Sequence, residues 1–173
     1  RAESPDFPMI RLEELAGDPI GHLVFITTPD DSISEVAERL ASIHADWDGK
    51  VVAHASGFLN SRQLEPLQNK GARVASFQPL QTFTSGSGGD AFRGIHVTLE
   101  GNDKAIEYLR QVAVALGSNP HPVTPEQKHA LHVAAVFLSN YLVALAGISD
   151  RLIRDSIPGA DFSWLEPLLA RTA

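Results

Sequence analysis

The 173-residue chain contains no cysteine, and its 14 Lys and Arg residues form no cluster. Without cysteine, disulfides, thiolate catalysis and Cys-ligated zinc or iron–sulfur sites are excluded, and the composition fits a reducing compartment, so we expect a cytoplasmic protein. No apolar run approaches the roughly 20 residues of a membrane-spanning helix, which predicts no membrane association. A net charge of −7 without a basic patch argues against a nucleic-acid partner.

What the chain does contain is typical of a globular protein with a sizeable core, since 43% of its residues are hydrophobic and 20% are charged. Its length corresponds to one domain, or to one domain and part of another. The chain starts at Arg1 rather than at Met and stops within an amphipathic pattern. We therefore expect an internal piece of a longer protein.

The order of the patterns predicts an α/β fold. An apolar run at residues 22–28 precedes a helical pattern at 33–43, and residues 50–55 form a second buried strand, which together make a right-handed strand–helix–strand unit. A short helix near 61–69, a strand at 72–77, a strand at 94–101 and a helix from about 102 to 116 follow. The sequence thus predicts a parallel sheet in residues 1–120, with 118–125 as a break after it.

A long helical pattern from Pro125 to about Asp155 is apolar almost all round. A soluble helix of this kind has to be buried on several sides. Because this chain offers few other helices to cover it, we expect the remaining neighbours to be chain outside this sequence or a second subunit. Residues 121–173 are accordingly interpreted as the start of an all-α domain that forms a homodimer.

Two motifs suggest ligands but lack the required setting. Gly86, Gly88 and Ala91 satisfy G-x-G-x-x-A, yet a dinucleotide-binding loop follows a buried strand and opens a helix, whereas here a strand comes next, so a surface loop is expected. Glu126, His129 and His132 have the spacing of half a carboxylate-bridged metal site, but such a site needs matching ligands from other helices. No metal is predicted.

Polar or turn-forming residues follow three neighbouring predicted strands. Because the carboxyl ends of parallel strands meet at one edge, where ligands of open α/β sheets bind, these residues predict a binding site. They are Thr27, Thr28, Pro29 and Asp30 after the first strand, His54, Ser56 and Gly57 after the second, and Gln78, Pro79 and Gln81 after the third.

A polar stripe also occurs on the long helix, where His132, Val136 and Asn140 are four residues apart and share one face. Polar groups on an apolar helix need partners. Either they satisfy neighbouring backbone groups or they line a pocket at the strand ends, and the sequence leaves both open.

Several segments resemble, in order and spacing, a bacterial family of Rossmann-like proteins assigned as NAD(P)-dependent oxidoreductases with an appended helical domain of unknown function. The segments are F-I-T-T-P-D-D-x-I, V-V-A-H-A-S-G, L-x-P-L-x-x-x-G-A, F-Q-P-L-Q-T-F and H-A-L-H-V-A-A-V-F-L-S-N. That family is similar to pyrroline-5-carboxylate reductase, the deazaflavin-dependent NADP reductases and the 6-phosphogluconate dehydrogenase group.

The resemblance implies a truncated Rossmann-like parallel sheet whose first strand, glycine-rich phosphate-binding turn and helix lie outside this sequence. It implies NADP or NAD as cofactor, with Thr27, Thr28, Pro29 and Asp30 beneath the nicotinamide half. Arg1 would face the 2′-phosphate of NADP, unless it is simply part of a frayed terminus. Where the family often has His-Pro-Leu, this chain has Gln at position 78, which cannot shuttle a proton.

The resulting hypothesis is an oxidoreductase of a small molecule, with catalytic residues His54, His132 and Asn140 and one of the two histidines as proton donor or acceptor. Ser56, Gly57, Gln78 and Gln81 would bind the substrate. A dinucleotide- or metabolite-binding module without chemistry is an alternative, and an interaction protein whose long helix is a dimer interface is another.

Overall fold

A computed structural model describes residues 11–15, 20–43, 46–84 and 86–172. Arg1, the proposed contact of the 2′-phosphate, lies outside them. The chain divides into two compact units, residues 1–129 and 130–173.

The first unit is built on one five-stranded sheet in which neighbours in sequence are neighbours in space. Its strands are β1 (Leu23–Ile26), β2 (Val51–His54), β3 (Arg73–Pro79), β4 (His96–Gly101) and β5 (Asn119–Pro122). Strands β1, β2 and β3 run parallel, as do β4 and β5, whereas β3 and β4 are antiparallel. The predicted α/β, Rossmann-like architecture is confirmed, but the sheet is mixed rather than wholly parallel.

The reversal at β4 follows from its connection. A parallel neighbour requires a crossover, usually a helix, whereas a loop returns the chain antiparallel. Between β3 and β4, the described residues hold only a short 3₁₀ turn, Gly89–Phe92. The segment expected to break the pattern instead contains β5, and its two prolines suit the edge of a sheet, where a missing N–H costs no ladder hydrogen bond.

Three helices of the first unit lie where the apolar spacing predicts them: α1 (Ile33–Ile43), α2 (Glu65–Gln68) and α3 (Asp103–Ala115). The Asn102 side chain caps α3 by accepting from the backbone N–H groups of Lys104 and Ala105. Just before it, Gly101 has a φ of +136°, and a Cβ there would meet the Val74 carbonyl oxygen at 2.5 Å. Glycine is therefore required where β4 turns into α3.

Each face of the sheet carries its own apolar core. The face under α1 and α2 buries Ile26, Ile33, Ala37, Leu40, Trp47, Val52, Leu64, Leu67 and Val74. The face under α3 buries Val51, Ala53, Ala75, Phe77, Val97, Leu99, Ala105, Leu109 and Ala113. Because strand side chains alternate between faces, the strands are apolar on both sides in the middle and differ in chemistry only at their ends.

The predicted long helix runs from residue 125 to 156 as α4 (Pro125–Val136), a π-helical turn (Phe137–Tyr141) and α5 (Leu142–Ser156). Only its first residues belong to the first unit. The second unit adds a 3₁₀ turn, Phe162–Trp164, and α6 (Glu166–Thr172).

Much of the apolar surface of this helix is exposed, with Phe137, Leu138 and Val143 each more than 60% accessible. The stretch Pro125–Ser156 is long and apolar enough to cross a membrane by length and composition, a test that core helices of soluble proteins also pass. The sequence had predicted no membrane-spanning helix, because none of its unbroken apolar runs is long enough. The burial predicted for this helix is not provided by the described residues of the chain.

Candidate functional site

The carboxyl ends of β1, β2 and β3 lie at one edge of the first unit, as predicted, and this edge is called the rim below. After β1, Thr27, Thr28, Pro29 and Asp30 are all exposed. After β2 the chain enters a compact loop, and β3 ends at Pro79. The parallel register pairs Ile26 with His54 and His54 with Ser76, so the three strand ends are adjacent.

His54 is fully buried, and both of its ring nitrogens have protein partners. Its Nε2 lies 3.0 Å from the Asn60 carbonyl oxygen, and its Nδ1 accepts from the backbone N–H of Ser56 at 3.2 Å. Since a carbonyl can only accept, Nε2 carries the proton and the ring is neutral. Burial lowers the pKa of His54 below 6.5, the Asn60 hydrogen bond opposes this, and the Lys128 charge adds to it.

Ser56 organises the same loop. Its hydroxyl donates to Asp30 Oδ2 at 2.8 Å and accepts from the backbone N–H groups of Phe58 and Leu59 at 3.2 and 2.9 Å. The hydroxyl thereby joins the end of β1 to the loop after β2. The contacts of His54 and Ser56 explain why a buried strand ends in H-A-S-G. Both polar side chains form hydrogen bonds with backbone groups of the tight loop that follows the strand.

A buried lysine, which the sequence analysis did not single out, completes the rim. Lys128, in the first turns of α4, is 1% exposed. Its Nζ donates to the carbonyl oxygens of Ser56 (2.7 Å) and Gly57 (3.1 Å) and to Oε1 of Gln78 (3.2 Å). Burial lowers the pKa of Lys128 to about 8, against the opposing effect of the Glu100 and Asp30 carboxylates.

The only sequence signal for this lysine was its position. Lys128 follows the proline-rich break and precedes the apolar part of the helix. A charged residue there usually faces solvent. Its burial depends on carbonyls about 70 residues earlier in the chain, which no local pattern reports.

Beside the lysine, the rim opens into a cleft of about 450 Å³, called the rim cleft below. It is lined by Ala55, Gly57, Gln78, Pro79, Gln81, Phe83 and Phe92. Three predicted substrate-binding residues, Gly57, Gln78 and Gln81, are therefore brought together, whereas the Ser56 side chain is turned into its loop. The rings of Phe83 and Phe92 lie 5.1 Å apart between centroids.

Deeper in the sheet, a transverse row of polar side chains crosses β2, β3 and β4. Its members are His54, Ser76 and Glu100, which are register partners. Glu100 is buried and accepts from the N–H and the hydroxyl of Ser61, both at 2.8 Å. Ser76 Oγ has no hydrogen-bond partner among the described residues.

The remaining predicted residues lie elsewhere. His132 is half-buried on α4 and Asn140 is exposed in the π-helical turn; both belong to the second unit. The Glu126 carboxylate accepts from the Thr124 hydroxyl at 2.8 Å, and the His129 ring packs on Phe58. Within the described residues, no group of three or more His, Cys, Asp or Glu is arranged to hold a metal ion.

The glycine-rich loop has no phosphate-binding geometry. Gly88 leads into the 3₁₀ turn Gly89–Phe92, and β4 follows. A Cβ at Gly86, Gly88 or Gly89 would meet nothing within 4 Å. These glycines therefore lie in open surface chain and not between a buried strand and a helix N-terminus, where a pyrophosphate would bind.

Comparison with known proteins supports the α/β, Rossmann-like architecture. Residues 1–79 match the family model described as a Rossmann-like domain, and residues 95–173 match a Domain of unknown function (DUF2520). Both matches are consistent with the family that the sequence segments resemble. No curated protein matches the chain.

Solved structures give the same fold. Protein TM1727 from Thermotoga maritima is 29% identical, with a TM-score of 0.65 over 90% of this chain and 56% of its own. A protein assigned as an NADP oxidoreductase, BF3122 from Bacteroides fragilis, is 22% identical, with a TM-score of 0.76 over 91% and 59%. Prephenate dehydrogenase from Aquifex aeolicus, in complex with hydroxyphenyl propionate and NAD+, is 20% identical, with a TM-score of 0.60 over 90% and 55%.

The matches to BF3122 and to prephenate dehydrogenase have low sequence identity and show the fold alone. The chain spans less than two thirds of the length of all three neighbours. Two of them are named for a nicotinamide dinucleotide, one for NADP and one for NAD+. The two names indicate no preference between the two forms.

Proposed function

We propose that the complete protein is an NAD(P)-dependent oxidoreductase of a small molecule, located in the cytoplasm. The observation that carries the proposal is the rim cleft: a concave, largely apolar site with two amide side chains at the carboxyl ends of the parallel strands. This is where ligands of Rossmann-like sheets bind. The fold neighbours that are named for nicotinamide cofactors support the same reading.

The residues present fit one part of such a cofactor. Thr27, Thr28, Pro29 and Asp30 are exposed at the end of β1, as a nicotinamide-facing strand end requires. The glycine loop does not fit a pyrophosphate, so the phosphates would be held by chain outside this sequence. When bound, the cofactor would supply hydride chemistry, and the protein would supply orientation and a proton.

For proton transfer, His132 is the better of the two predicted histidines. Both ring nitrogens of His54 serve the loop, which favours a positioning role for that residue. His132 is half-buried on α4, and Asn140 is exposed eight residues later in a π-helical turn, a feature frequent at functional sites. We assign His132 as proton donor or acceptor and Asn140 as its catalytic companion.

The C-terminal helices would also form the homodimer. The large exposed apolar side chains of the second unit, Phe137, Leu138 and Val143 among them, support this assignment. Single scattered apolar residues need no explanation, but a contiguous helix surface of this kind marks an interaction site.

Titration of the complete protein with NADPH and with NADH, followed by nucleotide fluorescence, tests the cofactor. We expect saturable binding of at least one form, and no binding of either would remove the oxidoreductase. His132→Gln should then lower kcat with unchanged cofactor affinity. His129→Gln, one turn earlier on the same helix, is the matched control and should leave kcat unaltered.

A binding module without chemistry is the second candidate. It is favoured by one observation: at the rim, His54 and Lys128 both have their polar hydrogens or lone pairs occupied by protein atoms. If NADPH binds but its oxidation is undetectable with every carbonyl and imine compound offered, this candidate replaces the enzyme.

A further inference from the structure

The rim cleft offers a set of side chains from which the chemistry of its ligand can be inferred. Of the seven residues that line it, none is charged. The apolar wall is made by Pro79 and by the paired rings of Phe83 and Phe92. A charged carboxylate or phosphate would lose its hydration there without gaining an opposite charge.

The polar side chains of the cleft are those of Gln78 and Gln81. The orientation of each amide is set by hydrogen bonds to groups that do not line the cleft. Gln78 Oε1 accepts from Lys128 Nζ at 3.2 Å and from Thr98 Oγ1 at 3.1 Å. An ammonium group has only donors, so the end of the amide that faces Lys128 has to be the oxygen. The Nε2 end of Gln78 makes no hydrogen bond among the described residues and is left to serve the cleft.

Gln81 is oriented in the same sense. Its Oε1 accepts from the backbone N–H of Thr82 at 2.9 Å, so its Nε2 is the end of the amide left to donate to a ligand. The Gly57 carbonyl already accepts from Lys128 at 3.1 Å, which leaves it at most one further lone pair. The side chains of the cleft therefore present hydrogen-bond donors beside an aromatic wall.

We propose that the rim cleft binds an uncharged carbonyl compound with a planar apolar body, whose oxygen accepts from Gln78 Nε2 while its body lies against Phe83 and Phe92. The inference deepens the proposed function, on which it rests for its meaning as a substrate site. Lys128 acts as a positioning residue: it touches no ligand but sets the direction of the amide. Because the ammonium polarises the Gln78 carbonyl, the N–H groups at the other end become stronger donors.

The charge pattern around the cleft supports an uncharged ligand further. Lys128, the buried cation at the rim, is 1% exposed, and its three donors are taken by Ser56, Gly57 and Gln78. It therefore cannot pair with an anion without breaking the loop. The exposed carboxylate of Asp30 at the neighbouring strand end disfavours an anion as well.

The proposal is tested on the complete protein without nucleotide, by saturation-transfer NMR and calorimetry with acetophenone as the probe and benzoate as its anionic counterpart. We expect acetophenone to bind with a Kd in the millimolar range and benzoate at least about tenfold more weakly. Equal binding of the two probes, or no binding of acetophenone, would overturn the proposal.

Gln78→Glu isolates the amide. The variant keeps an oxygen for Lys128 and Thr98 but replaces the N–H donors with an acceptor, so acetophenone binding should weaken by about tenfold, the loss expected for one buried hydrogen bond. Gln68→Glu, the same change at an exposed helix position, is the matched control. Unaltered affinity in Gln78→Glu would contradict the assigned donor.

A measurement on the unsubstituted protein covers the case in which Gln78→Glu does not fold. Addition of acetophenone should shift the side-chain amide ¹⁵N–¹H signal of Gln78 and leave that of Gln68 in place. If Gln78 does not respond while the probe binds, the site lies elsewhere. Because no nucleotide is present, binding of acetophenone without binding of NADPH would overturn the proposed function and leave the cleft assignment intact.

Discussion

Replacing Lys128 by methionine should change how the stability of the protein depends on pH. The methionine keeps the apolar stem but has no ammonium. Burial lowers the pKa of Lys128 from 10.5 to about 8 in the folded chain, so between these values the unfolded state binds more protons than the folded state. The free energy of unfolding therefore rises with pH in this window, and Lys128→Met lacks that rise.

The size of the effect follows from the two pKa values. The full displacement corresponds to at most about 3.5 kcal/mol, since each unit of pKa is about 1.4 kcal/mol. From pH 7 to about pH 9.5, the linkage relation gives a rise of up to about 2 kcal/mol, and solvent screening reduces it. Other groups titrate as well. The informative quantity is therefore the free energy of unfolding of the wild type minus that of Lys128→Met at each pH.

Urea unfolding followed by tryptophan fluorescence measures this difference. Trp47 is fully buried in the core of the first unit, and its emission reports the unfolding of that unit. Lys70→Met, at an exposed position after α2, is the control and should run parallel to the wild type at all pH values. If the difference in the free energy of unfolding between the wild type and Lys128→Met stays constant or falls as the pH rises, the inference that burial lowers the pKa of Lys128 is refuted.

Two further predictions concern the loop and the turn that hold the rim. Because burial lowers the pKa of His54 below that of the unfolded chain, the free energy of unfolding should fall as pH drops below about 6.5, and His54→Gln should lack part of this fall in acid-unfolding curves. Gly101→Ala should cost more than about 3 kcal/mol in urea unfolding, because its φ is +136° and the new Cβ would meet Val74 O at 2.5 Å. Gly86→Ala, where a Cβ meets nothing within 4 Å, should stay within about 0.5 kcal/mol of wild type, and a similar cost for both would contradict the steric argument.

Most of the helices and strands could be read from local patterns. Apolar alternation and caps act over a few residues, so α1 and α3 appear where they were predicted, and the Asn102 cap accepts the hydrogen bonds that its position requires. The direction of β4 and the existence of β5 could not be read in this way. Both depend on which edge of the sheet is still open when the chain returns, a property of the whole fold.

The candidate site, too, could be predicted only in part. The place was predictable, because the rule that ligands bind at the carboxyl ends of parallel strands needs only the strand order. The roles of individual side chains were not. His54 and Ser56 stood out as polar residues after a buried strand, yet each is held by partners within six residues of it or by Asp30. Lys128 reaches the rim from a distant part of the chain.

This arrangement has a consequence for the chemistry of the rim. The side chains whose charge could vary with pH, His54 and Lys128, are turned inward and stabilise the loop, while the groups that face the rim cleft are amides that do not titrate. Because the Lys128 ammonium sets the direction of the Gln78 amide, binding of a carbonyl oxygen by this amide should be retained below neutral pH and weaken where Lys128 loses its proton, near pH 8. Proton transfer is assigned in the proposed function to His132, which belongs to the second unit. Loss of kcat in His132→Gln, with acetophenone binding at the rim retained, would support separate roles for His132 and for the rim cleft.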